Sequence, residues 1–292
     1  MLAVLIVVFL LGHGIGDPAK IMLPPEAPHQ QYLDLRAKLG LDDPLPVQFA
    51  RTASHWFQGD FGISMWQQVP SLPVALQRIP ATLQLAAATM LFALPIAIVM
   101  GTISAIKPRS PLDRVLTVVS LAGVSVAEFW LGLMLILIVA VQFGLVPTSG
   151  YGGLQYMILP ILTLGFRPIG RVAQVSRSTM LDEVGKPYVT TARAKGLRDR
   201  AAIFGHALKN AAIPIITFCG DETSSLLNGA IVIETVFGWP GIGSLLIQSI
   251  LRRDLPLVEA TVFVISLLVI TMNFMVDMAY TKIDPRVRFG SA

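Results

Sequence analysis

The sequence predicts an all-α protein that crosses a membrane several times. Of its 292 residues, 54% are hydrophobic and 14% are charged, with a mean hydropathy of +0.68. Soluble domains carry about 25% charged residues, so this balance is typical of a chain that places much of its surface in lipid. The apolar residues also gather in runs near the length of about 20 residues that a helix needs to cross a bilayer. Together these observations predict six transmembrane helices.

The first apolar run, residues 1–15, is too short for a complete span and has no basic residue ahead of it. A secretory signal peptide is the alternative interpretation. Such a peptide needs a positive N-terminal region and a small-x-small cleavage site, whereas Gly16-Asp17-Pro18 follows here. We therefore expect residues 1–16 to be the outer part of a first transmembrane helix whose inner part is missing from this numbering.

The rest of the chain divides into a polar excursion, an apolar core and a short tail. Residues 17–79 are polar, mixed in charge and interrupted by eight prolines, which favours a segment outside the membrane. The core, residues 80–281, holds five further predicted spans. They are residues 82–106, 115–145, 154–171, 213–233 and 257–280. Residues 282–292 form the tail.

The positions of Lys and Arg predict the orientation. Fifteen of them fall in segments that would share one side with the tail, and seven fall on the other side, five of these in residues 17–79. Lys and Arg are retained in the cytoplasm, and a long loop such as 17–79 has little influence on orientation. Both termini are therefore expected in the cytoplasm. The net charge of +4 arises because Lys and Arg gather in the few loops predicted to be cytoplasmic, and so no nucleic-acid partner is expected.

The longest polar stretch of the core, residues 171–209, is expected to be a cytoplasmic loop that displays a short helix. Good helix formers run from Tyr188 to Ala194 and are followed by Gly196, as at a helix C-terminus. Pro187 suits the first turn, where its missing N–H costs nothing. A second helical stretch, residues 200–211, is expected to lead back to the membrane.

A glycine-rich segment follows the fifth span, with the sequence Glu234-Thr-Val-Phe-Gly-Trp-Pro-Gly-Ile-Gly-Ser244. Its glycines and Pro240 predict tight turns, and Phe237 and Trp239 are rings of the kind that anchor a chain at the membrane interface. Packing and interface anchoring are favoured, and lining the outer mouth of a pathway is the alternative. A phosphate-binding loop is disfavoured, because no strand precedes the glycines and no Lys-Ser/Thr pair follows them.

Acidic residues within spans are costly and so are candidates for function. Three of them, Glu128, Asp221 and Glu222, are candidates for a water-filled translocation pathway, with hydrogen bonding inside the bundle as the alternative. Asp277 is expected to reach the cytoplasmic interface. We expect no Lys or Arg within the spans to pair with these acids.

The sequence offers no metal site and no catalytic machinery of its own. The four histidines, at positions 13, 29, 55 and 206, never recur at helical spacing, and the single Cys219 lies among apolar residues. No His-Glu-x-x-His, Gly-x-Ser-x-Gly or Walker sequence occurs. The chain is therefore expected to move or sense something rather than to catalyse.

Several motifs together resemble the inner-membrane permease subunits of bacterial ABC importers, and more narrowly the B-type subunit of dipeptide, oligopeptide and nickel systems. The resemblance covers nearly the whole chain. Its motifs are Gly16-Asp-Pro18, Leu39-Gly-Leu-Asp-Asp-Pro44, Gly59-Asp-Phe-Gly-Ile-Ser64, Thr191-Ala-Arg-Ala-Lys-Gly-Leu197, His206-Ala-Leu-Lys-Asn210, Glu234-Thr-Val-Phe237, Pro240-Gly-Ile-Gly243, Arg253-Asp254, Asn273 with Asp277, and Asp284-Pro-Arg286. The Glu-Ala-Ala signature of such permeases falls here on Thr190, Thr191 and Ala192, so its glutamate is absent, as in the peptide branch.

The resemblance implies a type I ABC importer permease fold in the bacterial inner membrane and a role in importing peptides. It also implies that the short loop helix couples the permease to its ATPase. The residues implied in this coupling are Tyr188, Thr191, Ala192, Arg193, Ala194, Lys195, Gly196 and Leu197. Nickel or another small solute is the alternative substrate, and an ion-coupled secondary transporter is the alternative class.

The implied partners are a second homologous permease, forming a heterodimer, two ABC ATPase subunits, a periplasmic substrate-binding protein and membrane lipid. ATP and Mg would bind to the ATPase subunits, and this chain would bind no cofactor.

Overall fold

The computed structural model describes residues 6, 9, 10 and 28–283, and this part of the chain consists of helices and their connections. One isolated antiparallel bridge, between Ile63 and Pro70, is the exception. Most of the predicted first span, residues 1–16, and most of the tail lie outside the described residues. For the described ranges, the prediction of an all-α fold is confirmed.

Eleven α-helices occur within residues 28–283. They are α1 His29–Leu39, α2 Leu45–Phe57, α3 Ser71–Ile106, α4 Pro111–Ser125, α5 Glu128–Leu135, α6 Leu154–Val184, α7 Pro187–Ala194, α8 Asp199–Ala202, α9 Leu208–Val236, α10 Ile242–Leu251 and α11 Leu255–Ile283. Two π-helical segments, Ile136–Gln142 and Ile203–Ala207, continue α5 and precede α9 respectively.

Three described helical segments are long and apolar enough to cross a membrane, namely Ser71–Ile106, Ile203–Val236 and Leu255–Ala279. A fourth span results if α4 and the segment Glu128–Gln142, bent by 106° to each other, count as one. Helix α6 has 31 residues, but arginines interrupt its apolar character. Each of the five spans predicted in this part of the chain thus coincides with a helix or with the bent pair.

The prediction of one uninterrupted span over residues 115–145 is wrong, because the helix breaks at Val126 and Ala127. Both residues have extended backbones, with ψ of 130° and 127°. The next helix begins at Glu128, whose negative charge suits the positive end of a helix dipole. The break therefore places Glu128 at a helix N-terminus rather than in the middle of a span.

The chain forms two compact units. The first comprises the described residues up to Ala81 together with Pro240–Ile270. Its core includes Trp56, Phe61 and Leu245, with the indole and the phenyl ring stacked at 6.0 Å between centroids. The apolar α10 was not predicted, although its sequence contains no helix breaker after Gly243. Residues 240–270 were predicted to belong to the core 80–281, but they group with the described residues up to Ala81.

A buried carboxylate holds the excursion to the start of α11 within this first unit. Asp254 is 1% exposed and accepts hydrogen bonds from Ser64 Oγ at 2.6 Å and from the Trp66 N–H at 3.0 Å. It also caps α11 by accepting from the Leu257 N–H at 3.3 Å. Two of the sequence motifs, Gly59–Ser64 and Arg253–Asp254, therefore meet in space although about 190 residues separate them.

The second unit comprises Thr82–Trp239 and the described residues from Thr271 onward. Helix α6 packs against α4, α5 and α9. Gly170 of α6 and Gly123 of α4 let the two backbones approach closely, because a Cβ atom on Gly123 would lie 2.6 Å from the Phe166 carbonyl oxygen. Small residues thus determine the closest approach of helices in this unit.

The segment after the fifth span packs inside the unit rather than anchoring at an interface. Phe237 and Trp239 are each 1% exposed, and the Trp239 ring meets Tyr151 edge to face at 4.8 Å. Helix α9 runs further than predicted, so Glu234 lies within it and accepts a hydrogen bond from Thr82 Oγ1 at 2.6 Å. Of the three predicted turn glycines, Gly238 has a positive φ, 61°.

Candidate functional sites: a loop helix and a charged cleft

Helix α7 lies in the long polar loop and has the boundaries that its sequence predicts. Pro187 occupies its first turn. At its C-terminus Gly196 has φ of +85° and donates to the Arg193 carbonyl oxygen, while the Leu197 N–H donates to the Ala192 carbonyl oxygen. This pair of hydrogen bonds is a Schellman motif, which needs a left-handed residue after the helix. The predicted helix and its glycine stop are confirmed.

The two faces of α7 differ. Val189 is completely buried in a cluster with Met180 and Ile203, and Tyr188 and Ala192 pack partly buried against the same cluster. Six of the eight residues predicted to couple are exposed instead: Thr191, Arg193, Ala194, Lys195, Gly196 and Leu197. The inward residues hold the helix, and the outward residues form a surface that another protein can contact.

Two ionic contacts brace the ends of α7. Before the helix, Lys186 Nζ lies 2.5 Å from Glu183 Oε1, and Tyr188 Oη donates to Glu183 Oε2 at 2.6 Å. These hydrogen bonds, that of Lys186 above all, hold the pKa of the Glu183 carboxyl below its ordinary value. After the helix, Arg193 Nε lies 2.9 Å from Asp199 Oδ1 in an exposed pair. Each end of α7 is thus held by an acidic residue close to it in sequence, Glu183 before the helix and Asp199 after it.

The expectation that no Lys or Arg would pair with the membrane acids is wrong. Arg167 Nη1 lies 3.8 Å from Glu128 Oε1, and Arg171 Nη1 is in ion-pair contact with Glu222 Oε1. The error arose because α6 continues as one helix to Val184, so both arginines belong to the bundle and not to a loop. Their spacing of four residues, facing two intramembrane glutamates, is the signal that could have revealed the pairs.

A cleft of about 920 Å³ opens between α6, α9 and the described end of α11, all within the second unit. Of the predicted pathway residues, Asp221 lines it, whereas Glu222 is buried behind it at 2% exposure and Glu128 does not line it. Asp277, expected at the interface, lines the cleft together with Asn273. The structure therefore brings Asp221 and Asp277 to one cavity, which the sequence did not predict.

A second polar cluster joins three helices of this unit. Arg177 of α6 binds Asp113 with two hydrogen bonds, of 2.7 Å from Nε and 2.9 Å from Nη2. Ser104 Oγ of α3 also donates to Asp113, which is 4% exposed. Ser110 caps α4 by accepting from the Asp113 N–H. This cluster fixes α3, α4 and α6 to one another, and it was not predicted from the sequence.

Within residues 28–283 and at positions 6, 9 and 10, no three His, Cys, Asp or Glu side chains are grouped so that they could hold a metal ion. Cys219 is buried and forms no disulfide.

Residues 93–289 match a protein family described as the binding-protein-dependent transport system inner membrane component. The chain belongs to this family. It is thus a multi-pass inner-membrane protein and a transporter permease subunit rather than an enzyme, and the resemblance found in its sequence is confirmed. An ion-coupled secondary transporter, a different class, is set aside.

Relatives match nearly the whole chain. The probable peptide ABC transporter permease protein y4tP of Sinorhizobium fredii is 38% identical over 282 residues, which are 94% of this chain and 90% of the relative. The glutathione transport system permease protein GsiC of Salmonella typhimurium is 39% identical over 290 residues, 99% of this chain and 95% of the relative. GsiC of Escherichia coli K12 is 38% identical over 97% of this chain and 93% of the relative.

Solved transporters share the fold. A chain of the inward-facing MetNI methionine ABC transporter gives a TM-score of 0.62 at 15% identity, covering 72% of this chain and 96% of that chain. An amino acid ABC transporter solved with histidines gives 0.55 at 17% identity, covering 72% of this chain and 94% of that chain. The predicted type I ABC importer permease fold is thereby confirmed.

Proposed function

We propose that this chain is the permease subunit of an ATP-driven importer of short peptides and forms part of its translocation pathway. The names of the relatives support the substrate class, since they specify peptides and glutathione, and glutathione is a tripeptide. Family membership supports dependence on a separate substrate-binding protein. A permease for nickel or another small solute would have the same fold, so the substrate has to be identified by measuring uptake.

The observation that carries the proposal is the two-faced loop helix α7. An inward face fixes it to the bundle through Val189, and an outward face, including Arg193 and Ala194, is exposed to a partner. We propose that this face docks on an ABC ATPase subunit. When two such subunits bind ATP with Mg and close, the docked helix would carry the movement into the bundle. This chain contributes no ATP chemistry.

We also propose that the partner permease is a second, homologous chain and that the cleft beside Asp221 belongs to the pathway. A carboxylate within a membrane protein is favoured where it faces water or a cation, and Asp221 is exposed in this cleft. Glu128 and Glu222 support the pathway indirectly, because they hold the arginines of α6. The excursion 17–79 would face the periplasm, where a binding protein delivers substrate, and both termini would be cytoplasmic.

The deciding experiment is uptake by cells with and without the gene. Radiolabelled dipeptide, glutathione and nickel are supplied separately, and a peptide series competes with each. The proposal expects gene-dependent uptake of a short peptide that other peptides inhibit and nickel does not. Gene-dependent uptake of nickel alone would contradict the substrate class. Failure of an ABC ATPase to copurify with the chain would contradict the coupling role of α7.

A further inference from the structure

The face of α6 that adjoins the cleft carries two arginines. Arg167, Arg171 and Val175 follow one another at intervals of four residues and so share one side of the helix, and Val175 lines the cleft. Counted from Leu154 at 1.5 Å per residue, Arg167 lies about 20 Å and Arg171 about 26 Å along the helix. For the predicted span that begins at Leu154, both positions fall within the hydrocarbon thickness of about 30 Å.

Arg171 is held in place by Glu222 and Phe218, and part of its side chain is exposed. Its Nη1 contacts Glu222, which is 2% exposed, and its Cζ lies 5.2 Å from the centroid of the Phe218 ring, which itself lines the cleft. Its side chain still has 32% of its surface exposed. A guanidinium has five N–H donors in a planar fork and binds a second carboxylate readily when one edge remains open. The site thus presents an oriented positive group beside the cavity.

The cleft also presents negative and neutral polar groups. Asp221 of α9 and Asp277 of α11 line it together with Asn273, which precedes Asp277 by one helical turn. Among the side chains that the structure describes, which do not include that of Lys282, no Lys, Arg or His lies within 4.0 Å of either aspartate. By contrast, Glu128 and Glu222 in the same unit each have an arginine partner. The two aspartates are therefore available to a cation that enters the cleft.

Asp221 of α9 and Asp277 of α11 thus line the cleft, and Arg171 of α6, which does not line it, packs on the lining residue Phe218 and places a positive charge beside it. We propose that this cleft is a binding site for the charged ends of a short peptide, with its α-ammonium at Asp221, Asp277 and Asn273 and its α-carboxylate at Arg171. The inference rests on the proposed function and adds to it a specificity for free termini. The volume of about 920 Å³ lies in the range of ligand pockets, about 300–1,000 Å³.

The test measures binding to the assembled importer in lipid nanodiscs, without its binding protein, so that the selectivity of that protein does not enter. The probes are trialanine, N-acetyl-trialanine and trialanine amide. Asp221→Asn is expected to weaken binding of trialanine about tenfold, since a hydrogen bond to a charged group is lost, and to leave the acetylated peptide unaffected. Arg171→Lys retains the charge for Glu222 but loses the planar fork, and should weaken trialanine while sparing the amide.

Asp182→Asn is the matched control, because Asp182 is an exposed acid of α6 that does not line the cleft, and it should change none of the three affinities. Equal losses for free and blocked peptides, or no loss in either variant, would overturn the site. Gene-dependent peptide uptake by cells separates a failure of this inference from a failure of the proposed function. If uptake occurs but the variants show no selective loss, the inference alone fails, whereas uptake of nickel without peptide removes the proposed function with it.

Discussion

Gly196 is the residue on which the geometry of the loop helix depends. Its φ of +85° is left-handed, and a Cβ atom there would meet nothing within 4 Å, so any cost of substitution is conformational and not steric. We expect Gly196→Ala to cost about 1 kcal/mol in this conformation, and Gly196→Val to cost more because its side chain is β-branched. The helix C-terminus should fray and ATPase binding should weaken about fivefold or more.

Pull-down of the ATPase from solubilised membranes, together with peptide uptake, measures this effect. Gly185→Ala is the control, because Gly185 lies in the same loop with φ of −77°, which any residue adopts. Wild-type ATPase binding and uptake by Gly196→Val would show that α7 is not the coupling element.

A second prediction at the residue scale concerns Asp254. Both hydrogen-bond partners at its Oδ2 are donors, Ser64 Oγ and the Trp66 N–H, so an amide nitrogen at this position would leave a buried donor facing donors. Asp254→Asn should lower the free energy of unfolding of the first unit by about 1–3 kcal/mol. Thermal unfolding in detergent measures it. Asp60→Asn, at an exposed carboxylate that accepts from Gly62 N–H, should have little effect, and equal melting of both variants would contradict the role of Asp254.

Residues whose role is local were predicted correctly. The Pro187 start and the Gly196 stop of α7 follow from backbone preferences within one turn, so the sequence alone predicts them. Pairings such as Arg171 with Glu222 could not be predicted in the same way, because they join different helices. Their prediction would have required recognising that the basic stretch begins inside a helix rather than at a membrane boundary.

At the scale of the helix pair, the contact between α4 and α6 depends on the absence of side chains. A Cβ atom on Gly170 would clash with the Ser120 carbonyl oxygen, whereas one on Gly165 would meet Ala93 and Thr89 at an ordinary 3.5 Å. Gly170→Ala should therefore force the helices apart and cost about 1–3 kcal/mol. Gly165→Ala in the same helix should be tolerated. Thermal unfolding and the yield of folded protein compare the two, and equal behaviour would contradict the close approach.

The points where helices bend, begin and end were predicted less well than the positions of the long apolar runs. The apolar run 115–145 gives no sign of a break, because Val126 and Ala127 are ordinary within a span and their extended backbone becomes visible only in the structure. Helix α10 was missed for the opposite reason, since the glycines and Pro240 before it suggested a loop. Hydropathy thus locates helices, while packing determines where they bend and end.

At the scale of the whole molecule, the orientation in the membrane remains a prediction, and the structure changes its basis. Arg167 and Arg171 pair with acids inside the bundle, so they no longer count as loop charges. Thirteen basic residues then remain on the proposed cytoplasmic side against seven on the other. The excess of Lys and Arg still favours the same orientation, because five of the seven on the other side lie in the long segment 17–79, which has little influence on orientation.

Cysteine labelling tests this orientation in a Cys219→Ala background, which removes the one native thiol. Gln31 in α1 and Arg198 after α7 are both exposed, so neither Gln31→Cys nor Arg198→Cys should disturb packing. An impermeant maleimide added to cells with a permeabilised outer membrane should label Gln31→Cys, and it should label Arg198→Cys only after the inner membrane is opened. Labelling of Arg198→Cys in cells with an intact inner membrane would place α7 outside, away from ATP, and the coupling mechanism would then be impossible.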